Sequence, residues 1–264
     1  MITKKDITDI PALSCVERYF LAWLKGRFDV SCLYGYSFIE LGKLFADFSA
    51  GARYENYEGI PRIQAVAEKY GLTKHTHAWY EANKALETLR RQDAETLCLI
   101  RVNGHFFKKF KYRAWRDDHY ICVDTDLHWL NEYPLADGVF TQTEFAAIYD
   151  GEMLLYDAND LSAKVGNDCK RLIKTQNAFR IEKMNLKSFE DMVGVLRISR
   201  RRMAEFFKTD ETISSLWREE VNFLDKLYFD IRRQLLKKTK TEKSLSHMLK
   251  DVVTIEKKIA ETMK

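Results

Sequence analysis

Four short apolar runs in the middle of the chain constrain its fold most, because helical patterns surround them on both sides. Residues 96–102 (TLCLIRV), 119–123 (HYICV), 127–132 (LHWLNE) and 153–156 (MLLY) are apolar or β-branched stretches of strand length. Between the last two, Thr141-x-x-Glu144 has the capping-box pattern and opens a short helix through Tyr149. Ahead of the runs, residues 11–24, 38–48, 61–71 and 80–91 read as helices, punctuated by Lys25-Gly26, Gly51, Pro61 and Gly71. After Asp157 the strand signals stop. Residues 161–175, 188–207, 213–239 and 243–263 carry amphipathic helical patterns, with starts marked at Ser188-x-x-Asp191, Thr209/Asp210 and Ser244. Helices followed by strands predict an α+β fold with a mainly antiparallel sheet. The helical remainder predicts an appended bundle. The expected division is a mixed domain over 1–158 and a helical domain over 159–264.

Charge follows the same division. Residues 160–264 hold 24 Lys/Arg against 16 Asp/Glu, a balance of +8, whereas residues 1–159 hold 19 against 23, or −4. A basic helical region suits an acidic partner. No stretch approaches the roughly 18 apolar residues of a membrane span. The opening MITKKDITDIP lacks the apolar core of a secretory signal, so a cytoplasmic protein without membrane attachment is expected. The G-x-G fingerprint and the Walker pattern are both absent, which removes the usual signals for dinucleotide and nucleoside triphosphate sites.

Five cysteines (Cys15, Cys32, Cys98, Cys122, Cys169) are scattered without CxxC pairs. An odd number without metal spacing predicts neither a disulfide framework nor a zinc site. One of them has a distinctive context. In Leu13-Ser14-Cys15-Val16-Glu17, Ser14 and Glu17 form a capping-box pattern, which places Cys15 at the first helical position. There the sulfur meets unpaired backbone amides and the positive end of the helix dipole, which favours the nucleophilic thiolate. The same amides suit an oxyanion.

His119 lies 104 residues further on, at a strand start after the polar turn 115–118. A cysteine opening a helix followed by a histidine opening a strand is the chain order of papain-like thiol enzymes. If Thr125-Asp126 form a two-residue turn, paired residue numbers sum to 251 and His119 sits opposite Glu132, with Cβ atoms about 5 Å apart. A three-residue loop moves the partner to Asn131 or Tyr133. Either Glu132 or Asn131 is placed to accept the Nδ1 proton of His119 and fix its tautomer. Asp124 points to the other face of the strand and ranks below both. Asp126 reads as a turn residue. His75 and His77 lie in a polar connection with no third ligand in view. The alternating basic and aromatic residues 106–112, after Asn103-Gly104-His105, read as a strand edge beside a cleft rather than as a nucleic-acid surface.

Taken together, PALSCVERYFLAWL, DVSCLYGYSF, LCLIRVNGHFF, DDHYICVDTD and WLNEYPLADGVFTQTEF resemble, in order and spacing, the family named for the N-terminal domain of butirosin biosynthesis protein H. The resemblance covers residues 8–157. It implies a papain-like or C39-like cysteine-protease fold used for acyl transfer, with Cys15 as nucleophile and His119 as base. An acyl group would arrive on the phosphopantetheine of an acyl or peptidyl carrier protein and leave on an amine-bearing small molecule, as in natural-product biosynthesis. No cofactor of the protein's own is implied. The family usually places an aspartate before a proline on the second hairpin strand, where this chain reads Asn131-Glu132-Tyr133-Pro134. No glutamine stands shortly upstream of Cys15 to complete a papain-type oxyanion hole. The acidic carrier is expected to dock on the basic helical region, around Arg200, Arg201 and Arg202. The rival readings are a cysteine hydrolase, peptidase or thioesterase, and a non-catalytic module that binds nucleic acid or protein.

Overall fold

A computed structural model of the protein describes residues 2–54, 57–79, 81–108, 110, 118–158, 184–237 and 249–263. The chain divides into two compact units. One takes in the chain up to Val30 and resumes at Ile63; the other holds Ser31–Arg62 and the C-terminal helices. The expected boundary near residue 158 therefore misses one exchange: residues 31–62 belong with the helical unit.

The first unit is α+β. Its helices are α1 (Lys4–Ile7), α2 (Cys15–Lys25), α4 (Ile63–Glu68), α5 (Ala82–Arg90), α6 (Gly104–Lys108) and α7 (Gln142–Ile148). Its strands are β1 (Thr73–Ala78), β2 (Leu97–Val102), β3 (Tyr120–Val123), β4 (His128–Glu132), β5 (Leu135–Val139) and β6 (Tyr149–Asp157). They form one antiparallel sheet in the order β1-β6-β2-β3-β4-β5. The four expected strands are all present, and two more flank them. β1 (TKHTHA) is mostly exposed along its length, so it shows none of the apolar alternation that marks a half-buried strand. This strand carries His75 and His77, which the sequence had placed in a connection. β5 contains an internal Asp-Gly pair and carries the same weak signal. Residues 106–108, the start of the run expected as a strand edge, belong instead to the short helix α6, with Asn103 Oδ1 accepting the His105 amide at 2.9 Å. Phe106 and Phe107 there are buried, which leaves that part of the run unavailable to a nucleic acid.

The β3–β4 turn departs from the expected register. Cys122 pairs with Leu130 and Val123 with Trp129, so paired numbers sum to 252 and the loop has three residues, Thr125, Asp126 and Leu127. The physical cause is local. The Asp124 carboxylate accepts the amides of Asp126 (3.0 Å) and His128 (2.9 Å), and Leu127 takes a left-handed conformation at φ 65°. A type I turn followed by a left-handed residue is the usual three-residue hairpin loop.

α2 lies against β2 and β3. Its apolar face buries Phe20, Leu21 and Leu24, and the Phe20 ring meets Tyr156 of β6 at 5.4 Å. Ser14 caps the helix as expected, with Oγ accepting the Glu17 amide at 3.2 Å. Glu17 does not close the box on Ser14. It is fully buried instead, accepting Leu13 N–H at 2.6 Å and Ile63 N–H at 2.8 Å. The carboxylate thus ties the approach to α2 to the start of α4.

The second unit opens with a 3-10 helix (Val30–Ser37, whose first residue belongs to the other unit) and α3 (Leu41–Ser49). It continues with α8 (Leu186–Phe206), α9 (Glu211–Lys237) and α10 (Lys250–Thr262). The expected start of α8 at Ser188 shifts to Asn185, whose side chain accepts the Ser188 amide at 2.8 Å. Asp210 does cap α9, accepting the Ile213 amide at 3.2 Å. The expected helix 161–175 and the start at Ser244 lie outside the described residues. α8 and α9 join by a short turn and pack together, with Met203, Phe207, Ile213, Trp217, Ile255 and Ile259 in one core.

Two of the three expected docking cations do not lie on the surface. Arg200 and Arg202 are completely buried. Arg200 donates to Glu220 at 3.1 Å and to the Ile39 carbonyl at 2.9 Å, and it also pairs with Glu256. Arg201 and Arg197 both bind Asp225. Arg200 is neutralised inside the helical unit rather than offered to an acidic partner.

Two outcomes are expected. Glu17→Ala leaves two buried amides without acceptors and lowers the unfolding free energy by on the order of 3 kcal/mol in a urea titration. A change below about 0.5 kcal/mol, the range of an ordinary surface substitution, would contradict the assignment. Arg200→Ala strands the buried Glu220 carboxylate and removes the partner of the partly buried Glu256, and it destabilises by about 3–5 kcal/mol on the same measurement.

Candidate active site

The N-terminus of α2 delivers Cys15 to the end of the sheet where β3 begins and β4 finishes. The Cys15 sulfur, a ring nitrogen of His119 and a carboxylate oxygen of Glu132 all lie within 4.8 Å of one another. Residues from three separate segments, 104 and 13 positions apart in the chain, thereby meet at one point.

Asn131 completes the arrangement. Its Nδ2 donates to the Pro134 carbonyl at 2.8 Å, which turns Oδ1 towards the imidazole. His119 Nε2–H then donates to Asn131 Oδ1 at 2.7 Å. Both side chains are buried. An amide oxygen can only accept, so the proton of this bond sits on Nε2. The sequence reading had assigned the held proton to Nδ1, so the two ring nitrogens exchange roles. It had also put His119 opposite Glu132. With the observed register Glu132 falls opposite Tyr120, while Asn131, opposite Ile121, is the diagonal neighbour of His119. Of the two candidates for the third position, Asn131 is the one that holds the ring.

Glu132 has different partners. Its carboxylate Oε2 meets Arg18 Nε at 2.5 Å, and its backbone amide donates to the Tyr19 hydroxyl at 2.8 Å. Arg18 and Tyr19 stand three and four positions after Cys15, one helical turn along the same face. Phe107 sets its ring edge against His119 at 5.1 Å between centroids. Sequence reasoning missed Arg18, Tyr19 and Phe107. The helical spacing from Cys15 was a usable signal for the first two, whereas nothing local marks Phe107.

The thiol does not behave as its helix position suggested. Burial pushes Cys15 up to about 11, and the nearby Glu132 carboxylate and Asp118 push the same way. Hydrogen bonds from the Tyr120 and Val16 amides oppose them and lose. The expected lowering by the helix N-terminus is therefore reversed, because taking a thiolate out of water outweighs a half-charge at a helix end. Cys15 rests as a neutral thiol beside the imidazole of His119.

The other singled-out residues lie apart from this site. Cys98 and Cys122 are buried, and Cys169 lies outside the described residues. His75 and His77 stack along β1 with Trp79. Asp124 and Asp126 belong to the hairpin turn. A cavity of about 660 Å3 opens at the other end of α2, bordered by Trp23, Arg27, Asp93 and Thr125, and none of the four site residues lines it.

A cysteine, a histidine held by an asparagine, and backbone amides at a helix start form an arrangement suited to thiol-based acyl chemistry. No family model, no curated protein and no solved structure matches the chain.

Alkylation of Cys15 by iodoacetamide, followed by peptide mass mapping, is expected to accelerate with pH through pH 10 without a plateau. The reactive thiolate accumulates only as pH approaches the raised value of about 11. Glu132→Gln removes one of the causes and shifts the curve to lower pH. A plateau near neutrality in the native protein would refute the neutral resting thiol.

Proposed function

We propose that the protein is a cysteine-dependent acyltransferase of papain-like design, working through an acyl-Cys15 intermediate. The observation that carries the reading is the hydrogen-bonded order Asn131–His119 beside the Cys15 sulfur. As the thiol attacks a thioester carbonyl, its proton passes to His119 Nδ1, and the imidazolium is stabilised through Nε2–H by Asn131. The C–S bond of the donor breaks, and the departing thiolate takes the proton from His119 Nδ1. The acyl group now rests on Cys15. An amine then adds to the acyl carbonyl, gives its proton to His119, and expels the Cys15 thiolate, which takes that proton back. Backbone amides at the start of α2 face the oxyanion in both steps.

A thioester donor supports the reading chemically, because a carrier's phosphopantetheine supplies a leaving thiol close in basicity to the attacking one. The partners proposed are an acyl or peptidyl carrier protein and an amine-bearing small molecule. Within the described residues no helix is long and apolar enough to cross a membrane. With Arg200 and Arg202 buried, carrier docking has to use other residues.

The test is intact-mass spectrometry after mixing the protein with an acyl thioester of N-acetylcysteamine, a truncated carrier arm. One acyl group on Cys15 is expected, absent in Cys15→Ala and formed about a hundredfold or more slowly in His119→Ala. Release onto added amines faster than onto water favours transfer, and the reverse makes the protein a hydrolase. If Cys15 stays unmodified with every thioester and Cys15→Ala binds partners as the native protein does, the catalytic reading fails.

A further inference from the structure

The same corner of the fold presents a second chemistry. The geometry points to a binding site for zinc at Cys15, His119 and Glu132, through which the metal would block the thiol. A sulfur, an imidazole nitrogen and a carboxylate oxygen within 4.8 Å of one another approach the ligand set and spacing of a four-coordinate zinc site with one open position. Zinc bonds of about 2.0–2.3 Å place tetrahedral ligands some 3.3–3.8 Å apart, so modest side-chain movement closes the site. A search for cysteine and histidine spacing finds nothing here because the ligands come from a helix start, a strand start and a strand end.

Three features of the surroundings suit a metal. Asn131 accepts from His119 Nε2 and so fixes the ring. This is the outer-shell partner that metal-bound histidines generally have. Arg18 Nε lies 2.5 Å from Oε2 of Glu132, an ion pair that restrains the carboxylate. Charge also closes: a thiolate and a carboxylate together neutralise Zn2+. On binding, the Cys15 S–H bond breaks, the sulfur takes the metal, and one proton leaves to solvent. The carboxylate that disfavours a bare thiolate at this position becomes a favourable neighbour once the ion is present.

The site does not depend on acyl transfer, and the two are read separately. Native protein is titrated with Zn2+ while alkylation of Cys15 is followed by peptide mass mapping, and with Co2+ while the near-ultraviolet thiolate-to-cobalt band is followed. One equivalent of either ion is expected. Zinc slows Cys15 alkylation at least about tenfold, with Cys32 as internal control, and a chelator restores it. Glu132→Gln weakens the metal by about tenfold or more. Asn131→Ala keeps all three ligands yet also weakens it by about ten- to a hundredfold. Thermal melts confirm that both variants fold. Unchanged alkylation of native Cys15 under saturating Zn2+, or a cobalt–thiolate band that survives Cys15→Ser, overturns the proposal. Neither result bears on whether a thioester acylates Cys15.

Discussion

Seating α2 on the sheet is the constraint from which the site follows. Phe20 packs on Tyr156 in the middle of the helix, and the Tyr19 hydroxyl accepts the Glu132 amide at the end of β4. Ahead of the helix, the buried Glu17 carboxylate holds the Leu13 and Ile63 amides. A helix fixed at its body and its entry has little freedom to slide, and the sulfur at its first position is carried to one place beside β3. The apolar contacts supply the bulk of the driving force, whereas the three hydrogen bonds set the register. The charge at Glu17 is therefore positional: it replaces the standard capping partner with a link to a distant segment.

The electrostatics of the site follow from the same seating. Burying a thiol next to a carboxylate raises its proton affinity, so the sulfur rests in its less reactive form. In the proposed acyl transfer, a histidine held through Nε2 takes up the thiol proton as attack occurs. Resting neutrality protects the sulfur from chance oxidation and alkylation, since the thiolate is the reactive species in both. Arg18 pairs with the Glu132 carboxylate close to the sulfur. The proposed acyl transfer and the proposed metal block draw on one feature, a sulfur whose charge state is decided by what approaches it.

The helical unit shows why net charge is a poor guide to partners. Its sequence excess of positive charge includes a three-arginine run that looks like a docking patch on paper. In the fold, α8 turns Arg200 and Arg202 inward, and Glu220 and Glu256 come from α9 and α10 to meet Arg200. A buried guanidinium between two carboxylates stabilises little by itself, because desolvation offsets much of the attraction. It does make the packing of three helices interdependent. Counting charges could not distinguish this from a solvated face, since burial is decided by the partners of a residue and not by its type.

What the chain alone determined was the local information. Helix and strand periods located most elements, and the Ser14 and Thr141 caps marked two helix starts because side-chain oxygens next to free amides act within a turn. Cys15, His119 and the pair Asn131/Glu132 were all legible from order and from hairpin arithmetic. Tertiary structure decided the rest. The loop length at residues 125–127 depended on how the Asp124 carboxylate chose its amides, and that one residue moved His119 from Glu132 to Asn131. The exposed edge strand β1 carried no pattern, because a strand without a buried face has none to carry. The thiol's proton affinity was beyond local reading altogether. It depends on burial and on a carboxylate 117 positions away, and neither has any trace in the residues around Cys15.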